Sequence, residues 1–254
     1  MPAELSNEST QSHENIKALL LDIEGTTTPV DFVYKTLFPF AASHVEEFLR
    51  AHRSDTEIDG LLSELRTENG MDRARMDAAQ AWNETTETER IGSASAYVKW
   101  LIEKDRKLTP LKTLQGKIWE EGFRTGELKG EVYEDVAPAF SRWKRWGKRI
   151  AIFSSGSVLA QKLLFAHSTD GDLSIFLSGH FDTTTGPKRE AESYRKISRE
   201  LQLKPDEILF ISDVVEELDA AKLAGMVTAL AVRGDTNIPD GGHPAITKFS
   251  EIFY

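Results

Sequence analysis

One stretch limits the folds open to this chain more than any other: Ile16 to Pro29, IKALLLDIEGTTTP. Ile16, Ala18, Leu19, Leu20 and Leu21 run almost unbroken into Asp22. An apolar run this short, stopped by glycine and threonine, predicts a strand buried on both faces rather than an amphipathic helix. Strands of that kind belong to parallel sheets covered by helices, and in such sheets ligands bind outside the carboxyl ends of the strands. Asp22 and Glu24 stand at that end. Gly25, which lets the chain turn sharply, and three threonines follow them.

The same rhythm returns late in the chain. RIAIF (149–153) and EILFI (207–211) are short apolar runs that end on Ser154 and on Ser212-Asp213. Val227–Val232 is another, Leu173–Leu177 with Phe181 suggests a further strand region, and Phe249–Phe253 an edge segment. Helices are predicted between them, over Val136–Trp146 with Pro138 tolerated in the first turn, Val158–Ala166, Glu190–Leu201 and Val215–Ala224. Strand, helix, strand, helix is the pattern of a doubly wound parallel α/β sheet.

From Asp31 to about Gly130 the pattern is helical throughout. Phe40, Ala41, His44, Val45, Phe48 and Leu49 repeat at helical spacing. Ile58, Leu61, Leu62 and Leu65 do so after a Ser54/Asp55 cap. Met76, Ala79 and Trp82 suggest a third helix, Ala96–Leu101 a fourth and Leu111–Phe123 a fifth. Trp82, Trp100 and Trp119 read as core of this block. The simplest division is a mobile tail over 1–15, an α/β core of 16–30 and 131–254, and an inserted helical cap of 31–130. An insertion leaving just after Asp22 is well placed to act as a lid.

The strand ends carry the chemistry. Asp22, Glu24, Ser154 and Asp213 all sit where apolar runs stop, and Lys188 lies in a loop before a helix. In a parallel sheet those ends share one edge, so the groups can converge. Paired carboxylates suit a magnesium ion, which is hard and prefers oxygen. A carboxylate can also attack phosphorus, while a lysine and the ion offset charge on the transferring phosphoryl group. Ser154 and the amides of Ser155 and Gly156 suit phosphate oxygens at a helix start. Glu24 can give a proton to the leaving oxygen and then take one from water. Blander readings exist for each: helix caps for the serines, a turn acid for Asp22 and a solvated lysine for Lys188. TTTGPK is no phosphate-binding P-loop, because Arg189 stands where Ser or Thr would follow the lysine. Phe153 excludes a serine-hydrolase elbow at Ser155. Six histidines without ligand spacing give no zinc site.

These residues resemble the four motifs of the haloacid dehalogenase (HAD) superfamily of phosphohydrolases: Asp22-x-Glu24-Gly25-Thr26, Ser154, Lys188 and Asp213. The usual first motif has Asp at its second acidic position, and this chain has Glu24. With IEGTTTPVDFVYKTLFPF, GKIWEEGFRTGELKGEVYEDV, FSSGSV and ISDVVEELDAA, the chain looks like the enolase-phosphatase (acireductone synthase) family of methionine salvage. The resemblance implies a Rossmann-like core with a helical cap and one Mg2+ per subunit. It implies Asp22 as nucleophile, with Asp22, Glu24 (through its carbonyl) and Asp213 as metal ligands. Ser154 and Ser155 match the phosphate- and substrate-binding pair. Lys188 matches the motif lysine, and Glu217 the outer acidic position. The implied substrate is 2,3-diketo-5-methylthiopentyl 1-phosphate, enolised and then dephosphorylated to 1,2-dihydroxy-3-keto-5-methylthiopentene. Another small phosphate ester is the alternative substrate.

Composition closes off other classes. The net charge of −10 argues against a nucleic-acid groove or an anionic membrane as partner, though a local cation still admits a small phosphorylated ligand. There is no cysteine, hence no disulfide or thiolate nucleophile. No run approaches the roughly 20 apolar residues of a membrane span. We read the protein as cytoplasmic, with the nucleus open as a second compartment, and as a monomer.

Overall fold

The computed structural model describes residues 15–75, 79–234 and 242–253. Apart from Asn15, the tail expected over 1–15 lies outside the described residues, as does Met76. The chain forms two compact units. One takes the described residues up to Val30 and from Lys129 onward, and the other is Asp31–Leu128.

The first unit is built on a six-stranded sheet in the order β3-β2-β1-β4-β5-β6, every neighbouring pair parallel. The strands are β1 (Ala18–Leu21), β2 (Arg149–Phe153), β3 (Leu177–Phe181), β4 (Ile208–Ser212), β5 (Val227–Ala231) and β6 (Ala245–Ile246). β1 lies between β2 and β4, so the order reverses beside it, and that reversal opens a crevice at the carboxyl edge. Its four residues are fully buried, which is why the run reads as continuously apolar rather than alternating. Ala18, Leu20, Ala151, Phe153, Ile208 and Phe210 point to one face, where Tyr194, Ile197, Leu218 and Ala221 from the helices Ala191–Glu200 and Val215–Leu223 cover them. Leu19, Leu21, Ile150 and Ile152 take the other face by the two-residue alternation of strands. Phe140 and Trp143 of the helix Val136–Arg145 are fully buried, packed on Phe165 and Phe249.

Two strand expectations shift. Leu173–Leu177 is not a strand: Ser174–Phe176 is a 3-10 turn, set by Asp172 accepting the Ser174 N–H at 2.9 Å, and the strand begins at Leu177. The true strand, LSGHF, holds too few apolar residues to announce itself. The edge segment is Ala245–Ile246 rather than Phe249–Phe253. Phe249–Glu251 is turned into a 3-10 helix, with Asp135 accepting the Phe249 N–H and Glu251 reaching back to the N–H groups of Thr247 and Lys248.

The second unit contains the helices Phe38–Ala51, Thr56–Ala74, Glu87–Glu103 and Thr109–Thr125. Asp55 caps the second of them, accepting the Glu57 N–H at 2.8 Å. Thr86 and Glu89 form a reciprocal capping box on the third, and Gly126 in the left-handed conformation ends the fourth. The helix expected around Ala79 and Trp82 is absent among the described residues. That stretch has no regular secondary structure, and Asn69 donates to the Gln80 carbonyl at 3.0 Å. Before the first helix comes a π-helix, Val33–Leu37, which the sequence did not suggest. Trp119 is buried and donates its indole N–H to the Leu37 carbonyl at 2.8 Å, whereas Trp82 and Trp100 are half-buried.

Candidate active site

β1 delivers Asp22 to the crevice edge with 3% of its surface exposed. One carboxylate oxygen, Oδ1, accepts the Ile23 N–H at 2.7 Å and the Lys188 ammonium at 2.7 Å. The other, Oδ2, accepts the Ser212 hydroxyl at 3.1 Å. After Asp22 the chain folds on itself. The Ile23 carbonyl accepts N–H groups from Thr26, Thr27 and Thr28, and the Gly25 N–H reaches the Thr28 carbonyl. Gly25 has φ +70°, and a Cβ there would stand 2.1 Å from Oδ2 of Asp213. The turn after β1 is therefore packed directly on the carboxyl that ends β4.

Lys188 is 9% exposed at its side chain and bridges two acids, with Nζ 2.7 Å from Asp22 and 2.6 Å from Oε2 of Glu217. The Tyr194 hydroxyl donates to the Lys188 carbonyl at 2.7 Å, which fastens the loop bearing the lysine to a buried helix. On the far side of Asp22, the Ser154 hydroxyl reaches Glu24 at 3.4 Å and accepts the Gly156 N–H at 3.1 Å. Ser155 is exposed next to it. Ser154 and Ser155 do not cap the following helix. Ser157 does, accepting the Ala160 N–H at 3.3 Å.

Four carboxyl groups thus share this edge with one ammonium. The consequence is electrostatic. Burial first, and then the Asp22 charge, push the carboxyls of Glu24 and Glu217 above their usual range. The same causes push Asp213 up to about 7. Lys188 is held above its ordinary value by Asp22 and Glu217, which outweigh its burial.

The chain as a whole is similar to known proteins. The family model for haloacid dehalogenase-like hydrolases matches residues 16–225. Enolase-phosphatase E1 of Synechococcus elongatus is 50% identical over 239 residues, covering 94% of this chain and 98% of its own. The protein of the same name from Pseudomonas aeruginosa is 46% identical over 93% of this chain and 98% of its own. The chain belongs to the enolase-phosphatase family of haloacid dehalogenase-like hydrolases. The crystal structure of the UTR4 protein of Saccharomyces cerevisiae superposes at a TM-score of 0.72 with 35% identity, over 92% of this chain and 98% of that one.

Within this HAD-like core, Asp22, Glu24, Lys188, Asp213, Ser154 and Glu217 gather at one edge. Ser212 was not singled out from the sequence, yet its hydroxyl lies between Asp22 and Glu217, 3.0 Å from the latter. The parallel register pairs Leu21 with Ile211, which puts Ser212 beside Asp22, but that register is invisible in the sequence. Gln161 was missed too. Buried, it donates to the carbonyls of Gly156 at 3.0 Å and Phe181 at 2.8 Å, fixing the serine loop.

The donor set suits a hard divalent cation: all oxygen, and more negative charge than Lys188 offsets. Among the described residues no three His, Asp or Glu side chains form a ready-made cage. Gly25→Ala tests how tightly the turn is set. The new methyl must displace Asp213 or the turn, so turnover should fall about 10–100-fold for an ångström of misplacement. Steady-state kinetics at saturating Mg2+ measure it, and wild-type turnover would show that the turn yields freely.

Proposed function

We propose that this chain enolises 2,3-diketo-5-methylthiopentyl 1-phosphate and then removes its phosphate to give 1,2-dihydroxy-3-keto-5-methylthiopentene. The observation that carries the reading is the buried contact of Lys188 with both Asp22 and Glu217 beside Asp213, in a chain 50% identical to an enolase-phosphatase.

In this reading Asp22 attacks phosphorus, the bond to the leaving oxygen breaks, and an aspartyl-phosphate forms. Lys188 stays ionised against Asp22 and offsets charge on the phosphoryl oxygens. Ser154, Ser155 and nearby amides bind those oxygens. Asp22, Asp213 and the Glu24 carbonyl would hold Mg2+, which supplies Lewis-acid polarisation of phosphoryl and ketone oxygens. Glu24 takes the proton from the phosphate-bearing carbon and then gives one to the leaving oxygen. Burial and then the Asp22 charge push its carboxyl above the ordinary range, which makes it a stronger base than a solvated glutamate. Water then attacks the aspartyl-phosphate with Glu24 as base, releasing phosphate and restoring Asp22.

Glu24→Asp should separate the two halves. A side chain shorter by one methylene should lose enolisation by about 10²–10⁴-fold, the usual worth of a positioned base. Phosphate release from a simple ester should persist. Acireductone absorbance and phosphate release, followed together, read the two. A parallel fall in both would end this division of labour. Absorbance never appearing in the wild-type protein would leave a phosphatase for another ester.

Metal binding gives a test independent of turnover. Asp213 is protonated below about 7 and so competes with the cation. The rise in Tm on adding Mg2+ should therefore be small at pH 5 and larger at pH 8, because the native metal-free site holds protons that the cation must displace. Asp213→Asn should flatten this dependence. An Mg2+ effect on Tm that is equal at both pH values would remove Asp213 from the metal site.

A further inference from the structure

The turn that carries Glu24 is anchored from outside by two bonds. The Thr27 carbonyl accepts the Tyr133 N–H at 3.0 Å, and the Thr26 carbonyl accepts Nε of Arg233 at 3.0 Å. Arg233 follows β5 and lies far from Thr26 in sequence, and its side chain is only 6% exposed. Its Nη1 donates to Asp135 at 2.8 Å and to the Thr247 carbonyl at 3.1 Å. Its guanidinium is sandwiched between the rings of Tyr133, 4.6 Å away, and Phe249, 4.4 Å away. Asp135 in turn accepts the Phe249 N–H at 2.6 Å. One buried cation thus ties together the turn after β1, the start of the helix Val136–Arg145 and the C-terminal 3-10 segment.

Stability alone is a poor reason to bury such a pair. Desolvating two charges costs several kcal/mol per ion, and apolar residues of similar volume often hold segments together as well. What the guanidinium adds is direction. Its planar fork fixes Nε toward Thr26 and Nη1 toward Asp135 at once, which neither a lysine nor an apolar side chain can copy. We infer that Arg233 is a positioning residue for the reaction, holding the Thr26 peptide so that Glu24 meets the leaving oxygen. The inference builds on the role of Glu24 as proton donor given above.

The test is a double-mutant cycle between Arg233→Lys and Glu24→Gln, assayed with an alkyl phosphate and with p-nitrophenyl phosphate, whose leaving group needs little protonation. Arg233→Lys should lower kcat on the alkyl phosphate by about 30–100-fold with KM changed less than about threefold, the scale of an ångström's misplacement. In the pre-steady-state burst of p-nitrophenol, which reports formation of the aspartyl-phosphate and not its hydrolysis, the aryl ester should lose less than about fivefold, since that step hardly uses the acid. On the Glu24→Gln background the same change should cost less than about threefold, because coupled residues are not additive. A full loss repeated on that background would overturn the inference, as would equal losses on both esters at a temperature where the variant is folded. Should Arg233→Lys not fold, Asp135→Asn loosens the same clamp and enters the same cycle. The arms separate two failures. If Glu24→Gln alone treats both esters alike, its acid role falls, while the cycle still decides whether Arg233 acts through it.

Discussion

Asp22→Asn is expected to lower phosphate release by at least about 10⁴-fold, the scale at which removing a nucleophile leaves only binding and electrostatic assistance. The change is nearly isosteric: the amide oxygen can still accept the Ile23 N–H, and the Ser212 hydroxyl, which loses its acceptor on Asp22, keeps Glu217 at 3.0 Å. Only the charge and the nucleophilic oxygen go. Stability should not follow activity downward. The Asp22 charge, after burial, raises Glu24, Asp213 and Glu217, so it works against three neighbours. It is favourable only toward Lys188, which keeps Glu217 as a partner in the variant. The metal-free variant should therefore melt at or above the wild-type Tm while releasing no phosphate. Calorimetry and a phosphate assay on one preparation check both halves. Turnover that survives the substitution would remove Asp22 from the chemistry. A melted protein would turn the loss of activity into a folding effect.

The sequence revealed more of this site than of the scaffold around it, and the reason is physical. Asp22 and Asp213 are legible because each ends an unbroken apolar run, and parallel strands must bring such ends to one edge. Lys188 has no such signal: only the family resemblance lifts it above a solvated lysine, and its contact with Asp22 crosses 166 positions of chain. Ser212 and Arg233 could not be read at all. The first depends on the register of β1 against β4, the second on a guanidinium reaching from the end of β5 to the turn after β1. The same limit explains the scaffold errors. The helix expected at Ala79 and Trp82 followed a three-residue apolar spacing with no cap, and a side-chain bond from Asn69 decides that stretch instead. β6 is two residues long, too short for any periodicity to mark it.

Lys188→Met carries the second large expectation, and it runs opposite to Asp22→Asn in stability. Breaking a buried ion pair by removing one partner costs about 3–5 kcal/mol, because the other charge stays buried without compensation. Here two carboxylates lose their partner at once, with Nζ now 2.7 and 2.6 Å from them. Methionine fills similar volume, so packing against Phe153 is largely kept. The metal-free variant should be destabilised by that amount at pH 8 in urea unfolding. The loss should shrink as pH falls. Glu217 and its neighbours already hold protons above the usual carboxylate range, and a native state that binds more protons than the unfolded chain gains stability as pH drops. Turnover should fall about 10²–10³-fold, the loss seen when one donor to developing phosphoryl or oxyanion charge is removed. Magnesium should bind more tightly than in the wild type, since the competing positive charge has gone. Tighter binding of the cation with slower turnover is the signature that tells a lost charge from a collapsed site. A variant as stable as its parent at pH 8, or one that binds magnesium more weakly, would mean that Lys188 does not balance Asp22 and Glu217 as the structure has it.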